Sequence, residues 1–281
     1  MSVPLPPLGA HMSIAGGLHR ALERGAAIGC TAVQLFVKPP NRWQAPDLSP
    51  AEVQAFRATR RATGLRAVVA HGAYLLNLGS PDDALWLRSV EAATVEVQRC
   101  QQLGIDRWVL HPGAHMGKGE RAGLKRVAEG LTATLEATAA ANVMILLEIT
   151  AGQGTVLGST WEQLAWLLEH AEPSERLGVC FDTAHALASG YEFRSAESYA
   201  ALWSAFDREI GHERLGALHV NDSRRELGSR VDRHEQLGEG SLGLGPFRLL
   251  INDPAWRHVP FILETPKGPE LHEDVRNLAI L

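Results

Sequence analysis

The string GVCFDTAH at 178–185 carries the first pair of residues with chemistry to offer. An apolar, strand-forming run ends in the carboxylate of Asp182, and the imidazole of His185 follows three residues later. Carboxylate oxygen and imidazole nitrogen are donors that zinc and similar divalent ions accept. From a single strand end the two are spaced too widely to grip one ion, so they are expected to serve different metals. Further on, VDRHEQLGEG sets Asp232 and His234 on the same side of an extended segment, with Arg233 between them turned elsewhere. Together with His185 they form a set of two imidazoles and one carboxylate, which satisfies zinc and leaves a position open for an incoming oxygen.

The elements that must position these groups repeat along the chain. Short runs rich in Val, Ile and Leu occur at 8–14, 32–38, 66–73, 107–113, 143–150, 177–184, 215–222 and 260–266. Segments of helical period follow at 17–28, 49–63, 82–103, 121–141, 160–171, 196–210, 246–251 and 270–281. Ser49-Pro50-Ala51-Glu52 and Ser80-Pro81-Asp82-Asp83 are helix-start signals with proline expected at the first helical position. Eight β/α units in 281 residues predict an α/β fold, a (β/α)8 TIM barrel forming a single domain over 1–281. A doubly wound open sheet would need a reversal of strand order, and no such reversal is visible.

In a barrel the chemistry gathers where the strands end. The polar residues at those ends are, in order, His11, Lys38, His71, His111, Glu148, Asp182, His219 and Glu264. Alternate strand residues point inward, so Glu148 shares a face with Leu146, Asp182 with Cys180 and His219 with Ala217. The ligands should therefore converge on one mouth. Left there without a cation, such buried carboxylates and imidazoles would each cost several kcal/mol. His19, His170, His212, His258 and His272 fall outside this pattern and read as surface or capping residues.

A formal net charge of −5 speaks at face value against a nucleic-acid partner, but bound divalent cations would reverse the local sign at the mouth. Cys30, Cys100 and Cys180 are odd in number and widely spaced, which predicts packed thiols rather than disulfides or a CxxC zinc site. No apolar run reaches membrane-spanning length, and MSVPLPPLGA lacks the features of a signal peptide, so a cytoplasmic protein without membrane contact is expected.

The strings GAHMSIAGG, AHGAYLLNLGS, HPGAH, LLEITAGQGT, GVCFDTAHALASGY, HVNDS, GSRVDRHEQLGEG and LETP resemble, in this order, the motifs of the endonuclease IV family of apurinic/apyrimidinic endonucleases. The resemblance spans nearly the whole chain, and DTAH followed by DRHxxLGEG is a highly specific combination. It implies three Zn2+ ions on the barrel. His71 and His111 would hold the first, with Glu148 bridging to the second. Asp182, His219 and Glu264 would complete the second, and His185, Asp232 and His234 would hold the third. Glu148, Glu264 and His111 would take part in catalysis.

The implied substrate is double-stranded DNA containing abasic sites or blocked 3′ ends. The implied reaction is hydrolysis 5′ to the abasic site, leaving a 3′ hydroxyl and a 5′ deoxyribose phosphate, by a protein acting as a monomer. Tyr74 and Leu75 would wedge into the duplex beside the gap, helped by Arg42 or Trp43. Lys38, Arg230 and Arg233, together with Arg224, Arg225 and Lys267, are candidate phosphate contacts. FVKPPNRW has Asn41 where the family places an arginine and Arg42 directly before Trp43. Ile149, Gly72 and Ala184 stand where Asn, Asp and Cys are usual, and none of these changes removes a ligand. The alternatives are a metal-dependent sugar isomerase or epimerase on the same barrel, and a noncatalytic DNA-damage binding protein.

Overall fold

A computed structural model describes residues 5–281, so the first four residues of MSVPLPPLGA and of the expected 1–281 unit lie outside the described residues. The strands are β1 Leu8–His11, β2 Ala32–Phe36, β3 Ala67–His71, β4 Arg107–Leu110, β5 Met144–Glu148, β6 Leu177–Asp182, β7 Leu215–His219, β8 Asp222–Ser223, β9 His234–Glu235 and β10 Phe261–Leu263. The helices are α1 Leu18–Ala27, α2 Pro50–Thr63, α3 Asp83–Leu103, α4 Glu120–Ala137, α5 Trp161–His170, α6 Thr183–Ser189, α7 Ala196–Glu209, α8 Gly245–Asn252 and α9 His272–Ile280. Eight strands close in the order β1-β10-β7-β6-β5-β4-β3-β2, and every pairing among them is parallel. The (β/α)8 barrel expected from the sequence is the fold.

Parallel strands buried on both faces need continuous apolar runs, which is why the eight runs stand out in the sequence. Val69, Val109, Leu146, Cys180 and Ala217 fill the barrel interior, while the larger apolar cluster lies between strands and helices. Closure between β1 and β2 requires a residue without a side chain at Gly9, since a Cβ there would collide with the Ala32 carbonyl. Ser49 and Glu52 form a reciprocal capping box on α2 with Pro50 first in the helix, as expected. At α3 the start differs: Asp82 is the cap, accepting from the Leu85 amide at 2.8 Å, while Ser80 Oγ accepts from the Asp82 amide and Pro81 stays outside the helix.

The predicted runs extend past the strands because apolar or small residues continue into the loops, where hydrogen bonding with the neighbouring strand has ended. The stretch 177–184 shows this with most effect. Its strand stops at Asp182, and α6 begins at Thr183 with Asp182 Oδ1 accepting from the His185 amide at 2.7 Å. That turn of helix brings His185 Nδ1 within 3.8 Å of Asp182 Oδ1. The wide separation expected of an extended strand end is therefore closed up, since residues three apart on a helix are neighbours, but the nitrogen that approaches is the one held 3.0 Å from the Ile149 carbonyl. In the long segment after β7, β8 and β9 pair antiparallel, with Ser223 opposite His234.

Candidate metal centre

The strand ends deliver their polar side chains to one mouth. Glu148 ends β5 fully buried and sits at its centre. Its Oε2 lies 3.1 Å from both His71 Nε2 and His111 Nε2, and its Oε1 lies 3.1 Å from both His219 Nδ1 and His185 Nδ1. Glu264, just beyond β10, puts Oε2 3.2 Å from His219 Nδ1. Asp182 Oδ2 is 3.9 Å from His219 Nδ1 and 3.6 Å from His234 Nε2. Asp232 reaches in from the long loop, 3.3 Å from His185 Nε2 and 3.6 Å from His234 Nε2.

Among the described residues, ligand atoms cluster as His71–His111–Glu148, as Glu148–Asp182–His219–Glu264 and as Asp182–His185–His234. A further cluster joins Cys180 to Glu148 and His219, but burial pushes the Cys180 thiol up to about 12, so it stays protonated. All three cysteines are buried and free.

The hydrogen bonds assign which nitrogen of each ring carries hydrogen. His71 Nδ1 lies 2.8 Å from the Gly72 carbonyl, His185 Nδ1 3.0 Å from the Ile149 carbonyl and His234 Nδ1 3.2 Å from the Glu264 carbonyl. A carbonyl only accepts, so each Nδ1 donates and each Nε2 presents a lone pair to the cavity. His185 Nε2 and His234 Nε2 then face each other at 3.4 Å, and His71 Nε2 faces a carboxylate oxygen. Bare nitrogens against each other and against carboxylates must share a cation, a metal ion or the proton it would replace. Imidazoles fixed by outward hydrogen bonds to carbonyls are the arrangement that divalent metals use. The donor set fits a borderline ion such as zinc.

The electrostatics agree. Burial opposes charge on Glu148, yet His219 and His111 hold its carboxyl well below the usual range. Burial also opposes protonation of His185, but Asp182, Asp232 and Glu148 raise it well above the ordinary imidazole value. Burial opposes protonation of His219 too, and the carboxylates Glu264 and Glu148 raise it likewise. For Asp232 burial works upward, and the His185 hydrogen bond with the surrounding imidazoles brings the carboxyl down to about 2.

Several supporting residues went unrecognised in the sequence. Gln34, fully buried in β2, donates from Nε2 to Glu264 Oε1 at 2.6 Å and accepts at Oε1 from His219 Nε2 at 2.8 Å, which turns His219 Nδ1 toward the cavity. Its Nε2 is also 3.0 Å from His11 Nδ1, so His11 sits behind the cluster. Asn221 donates to Asp182 Oδ2 at 2.7 Å and accepts from the Glu264 amide at 2.7 Å. Asp222 accepts from the amides of Gly238, Gly240 and Leu242, fastening the long loop that carries Asp232 and His234. A polar residue inside a buried strand, as Gln34 is, was the available signal.

The residues expected to meet DNA divide into two groups. Tyr74 is 73% exposed at the rim, with Leu75 half-buried beside it, and Arg42, Arg230 and Arg233 are exposed. Trp43 is half-buried, with the Arg88 guanidinium 4.5 Å from its ring centroid. Lys38 does not belong with them. It is buried at 2% exposure, paired with Glu96 Oε1 at 3.0 Å and donating to the Arg42 carbonyl at 2.7 Å, so its ammonium cannot reach a phosphate on the surface. Among the other candidates Arg225 is exposed, Arg224 pairs with Glu235 and Lys267 with Asp274. His115 turns its Nδ1 back to the Gly117 and Gly119 amides.

A cavity of about 360 Å³ opens over the cluster, walled by His11, Tyr74, Glu264 and Lys267 among others. An adjoining apolar cavity of about 590 Å³ runs between Trp43, Tyr74, Leu75, Leu85, Met116 and Val156. Among the described residues no helix is long and apolar enough to cross a membrane.

Residues 22–279 match the family described as xylose isomerase-like TIM barrel. A Chloroflexus aggregans protein described as a probable endonuclease 4 is 47% identical over 277 residues, covering 99% of this chain and 97% of that one. The crystal structure of endonuclease IV from Thermus thermophilus superposes with a TM-score of 0.86 at 41% identity, over 98% of this chain and 97% of that one. A D-tagatose 3-epimerase-like protein shares the fold at a TM-score of 0.74 and 20% identity, over 98% of this chain and 95% of that one. With the barrel, the convergent strand ends and these full-length relatives together, the chain belongs to the endonuclease IV family of hydrolytic endonucleases.

Proposed function

We propose that this chain repairs DNA by hydrolysing the phosphodiester 5′ to an abasic site, leaving a 3′ hydroxyl and a 5′ deoxyribose phosphate, and that it also trims blocked 3′ ends. The nine side chains His71, His111, Glu148, Asp182, His185, His219, Asp232, His234 and Glu264 would hold three zinc ions. The observation that carries this reading is the set of bare imidazole nitrogens and carboxylate oxygens aimed into one cavity beside an exposed tyrosine. Bound there, zinc would acidify water near neutral pH and offset the charge of a phosphodiester.

The chain's own residues do the rest. Glu148 spans two groups of donors through its two oxygens and fixes the relation between them. Gln34 and Asn221 hold His219, Glu264 and Asp182 in place, so little reorganisation is needed as charge develops on the phosphate. Tyr74 and Leu75 stand at the rim, where a side chain can enter a duplex. A nucleotide without a base has little stacking to lose, so it leaves the duplex more readily than an intact one. Arg42, Trp43, Arg230 and Arg233 would contact the strand from the surrounding loops, and Glu264 and His111 would act at the reacting phosphate.

The test is incubation with a duplex containing one abasic analogue, with and without a zinc chelator, with both product ends identified by mass. Scission leaving a 3′ hydroxyl, lost on chelation and restored by zinc, is the expected result. Binding without scission, or conversion of a ketose sugar in its place, would overturn the proposal. Ketose epimerisation rests on fold likeness alone.

A further inference from the structure

Lys38 and Glu96 form an ion pair at 3.0 Å with both side chains 1% exposed. Neither belongs to the metal centre, and a lone buried charge at either position would be strongly destabilising. What the pair touches shows its use. Lys38 Nζ also donates to the Arg42 carbonyl at 2.7 Å, inside the turn that carries Arg42 and Trp43. Glu96 Oε2 accepts from the Ala73 amide at 3.2 Å, directly before Tyr74 and Leu75, and from Trp108 Nε1 at 3.1 Å. The same face of α3 holds the first loop at three further points. Arg99 donates to the Val37 carbonyl at 2.7 Å and to the Pro46 carbonyl at 2.8 Å, and Arg88 lies over Trp43.

We propose that Lys38 and Glu96 are positioning residues that tie the 39–43 turn and the 73–77 turn into one rigid unit, so that Arg42, Trp43, Tyr74 and Leu75 are presented to the duplex in fixed relation. The inference rests on the reading above that these turns meet DNA. Its physical basis is that two loops gripped separately would each have to be ordered on binding, whereas a shared buried anchor orders both beforehand. The charged pair is also directional. Lys38 can satisfy a loop carbonyl only because Glu96 neutralises it, and Glu96 is in turn fixed by Trp108.

The test uses the full chain with zinc bound and the double variant Lys38→Met with Glu96→Met, which leaves no lone buried charge and removes the holds on both the Arg42 carbonyl and the Ala73 amide. Three quantities are read: hydrolysis of bis(p-nitrophenyl) phosphate, KM for an abasic duplex, and hydrogen exchange of both turns. The variant should hydrolyse the small diester as the parent does, while KM for the duplex rises about tenfold or more and both turns exchange faster together. An unchanged duplex KM, faster exchange in only one turn, or a parallel fall in small-diester hydrolysis would overturn the inference. Should the double variant not fold, exchange in the parent decides. The amides of the two turns must open as one unit with the same denaturant dependence, and independent opening sinks the proposal. A parent that does not incise abasic DNA would refute the function above, but coupled opening of the turns would still be measured by itself.

Discussion

Glu148→Gln is the substitution on which the site's logic bears hardest. The amide has the volume of the carboxyl, so no cavity forms at this fully buried position and packing is preserved. The charge is lost, however, and one acceptor oxygen becomes a donor. Each oxygen now faces two imidazole nitrogens at 3.1 Å, so whichever end becomes the NH2 group loses the lone pairs that would share a cation with one pair: His71 and His111, or His185 and His219. An amide cannot serve two cations as a carboxylate does. Removing one electrostatic group at a reacting centre lowers kcat by about 10²–10³. Glu148 is shared by two ligand groups, so incision should fall by more than about 10³-fold. Incision rate, zinc content by elemental analysis and thermal melting should be measured on the same preparation. The expected result is lost incision and less than full zinc in a protein that still folds. Incision within about tenfold of the parent with zinc fully retained would refute the reasoning.

Other expectations follow from the same geometry. In chelator-treated protein the raised His185 and His219 contribute stability that is fully present below their ordinary 6.5 and lost as pH rises through their folded values. The lowered carboxylates Glu148 and Asp232 contribute stability present above their ordinary range and lost as acid protonates them. Melting temperature of the zinc-free protein should therefore fall as pH rises above the ordinary imidazole value, and saturating zinc should remove that fall by taking the place of the protons. A flat zinc-free profile would contradict the assignment. Gln34→Leu removes the partner of His219 Nε2 and Glu264 Oε1, and zinc affinity in a chelator competition should drop about 10–100-fold with the barrel intact. Tyr74→Ala, at 73% exposure, should leave stability within about 0.5 kcal/mol. It should weaken abasic-duplex binding by about 1–3 kcal/mol, read by titration.

What could be read in advance followed from where polarity interrupts a buried strand. Parallel strands covered on both faces read as unbroken apolar runs, so a histidine or carboxylate at the end of one is conspicuous, and His71, His111, Glu148, Asp182, His219 and Glu264 could be found from that interruption. The third group was legible for another reason, since Asp232 and His234 share a side of an extended segment. What stayed hidden depends on side-chain direction. A run of seven residues after Asp182 is too short for helical period to show, so α6 and the turn that brings His185 back to Asp182 left no pattern. Lys38 stands beside a strand end with the charge of a phosphate contact, but its long stem reaches inward to a carboxylate more than fifty residues away, on a helix that sequence order does not connect to it. Gln34 is the reverse case: one polar residue in the middle of AVQLF, where a buried amide must find partners. That it finds two of the proposed ligands, Glu264 and His219, is a consequence of closure, because only a closed barrel sets β2 across the mouth from β7 and β10.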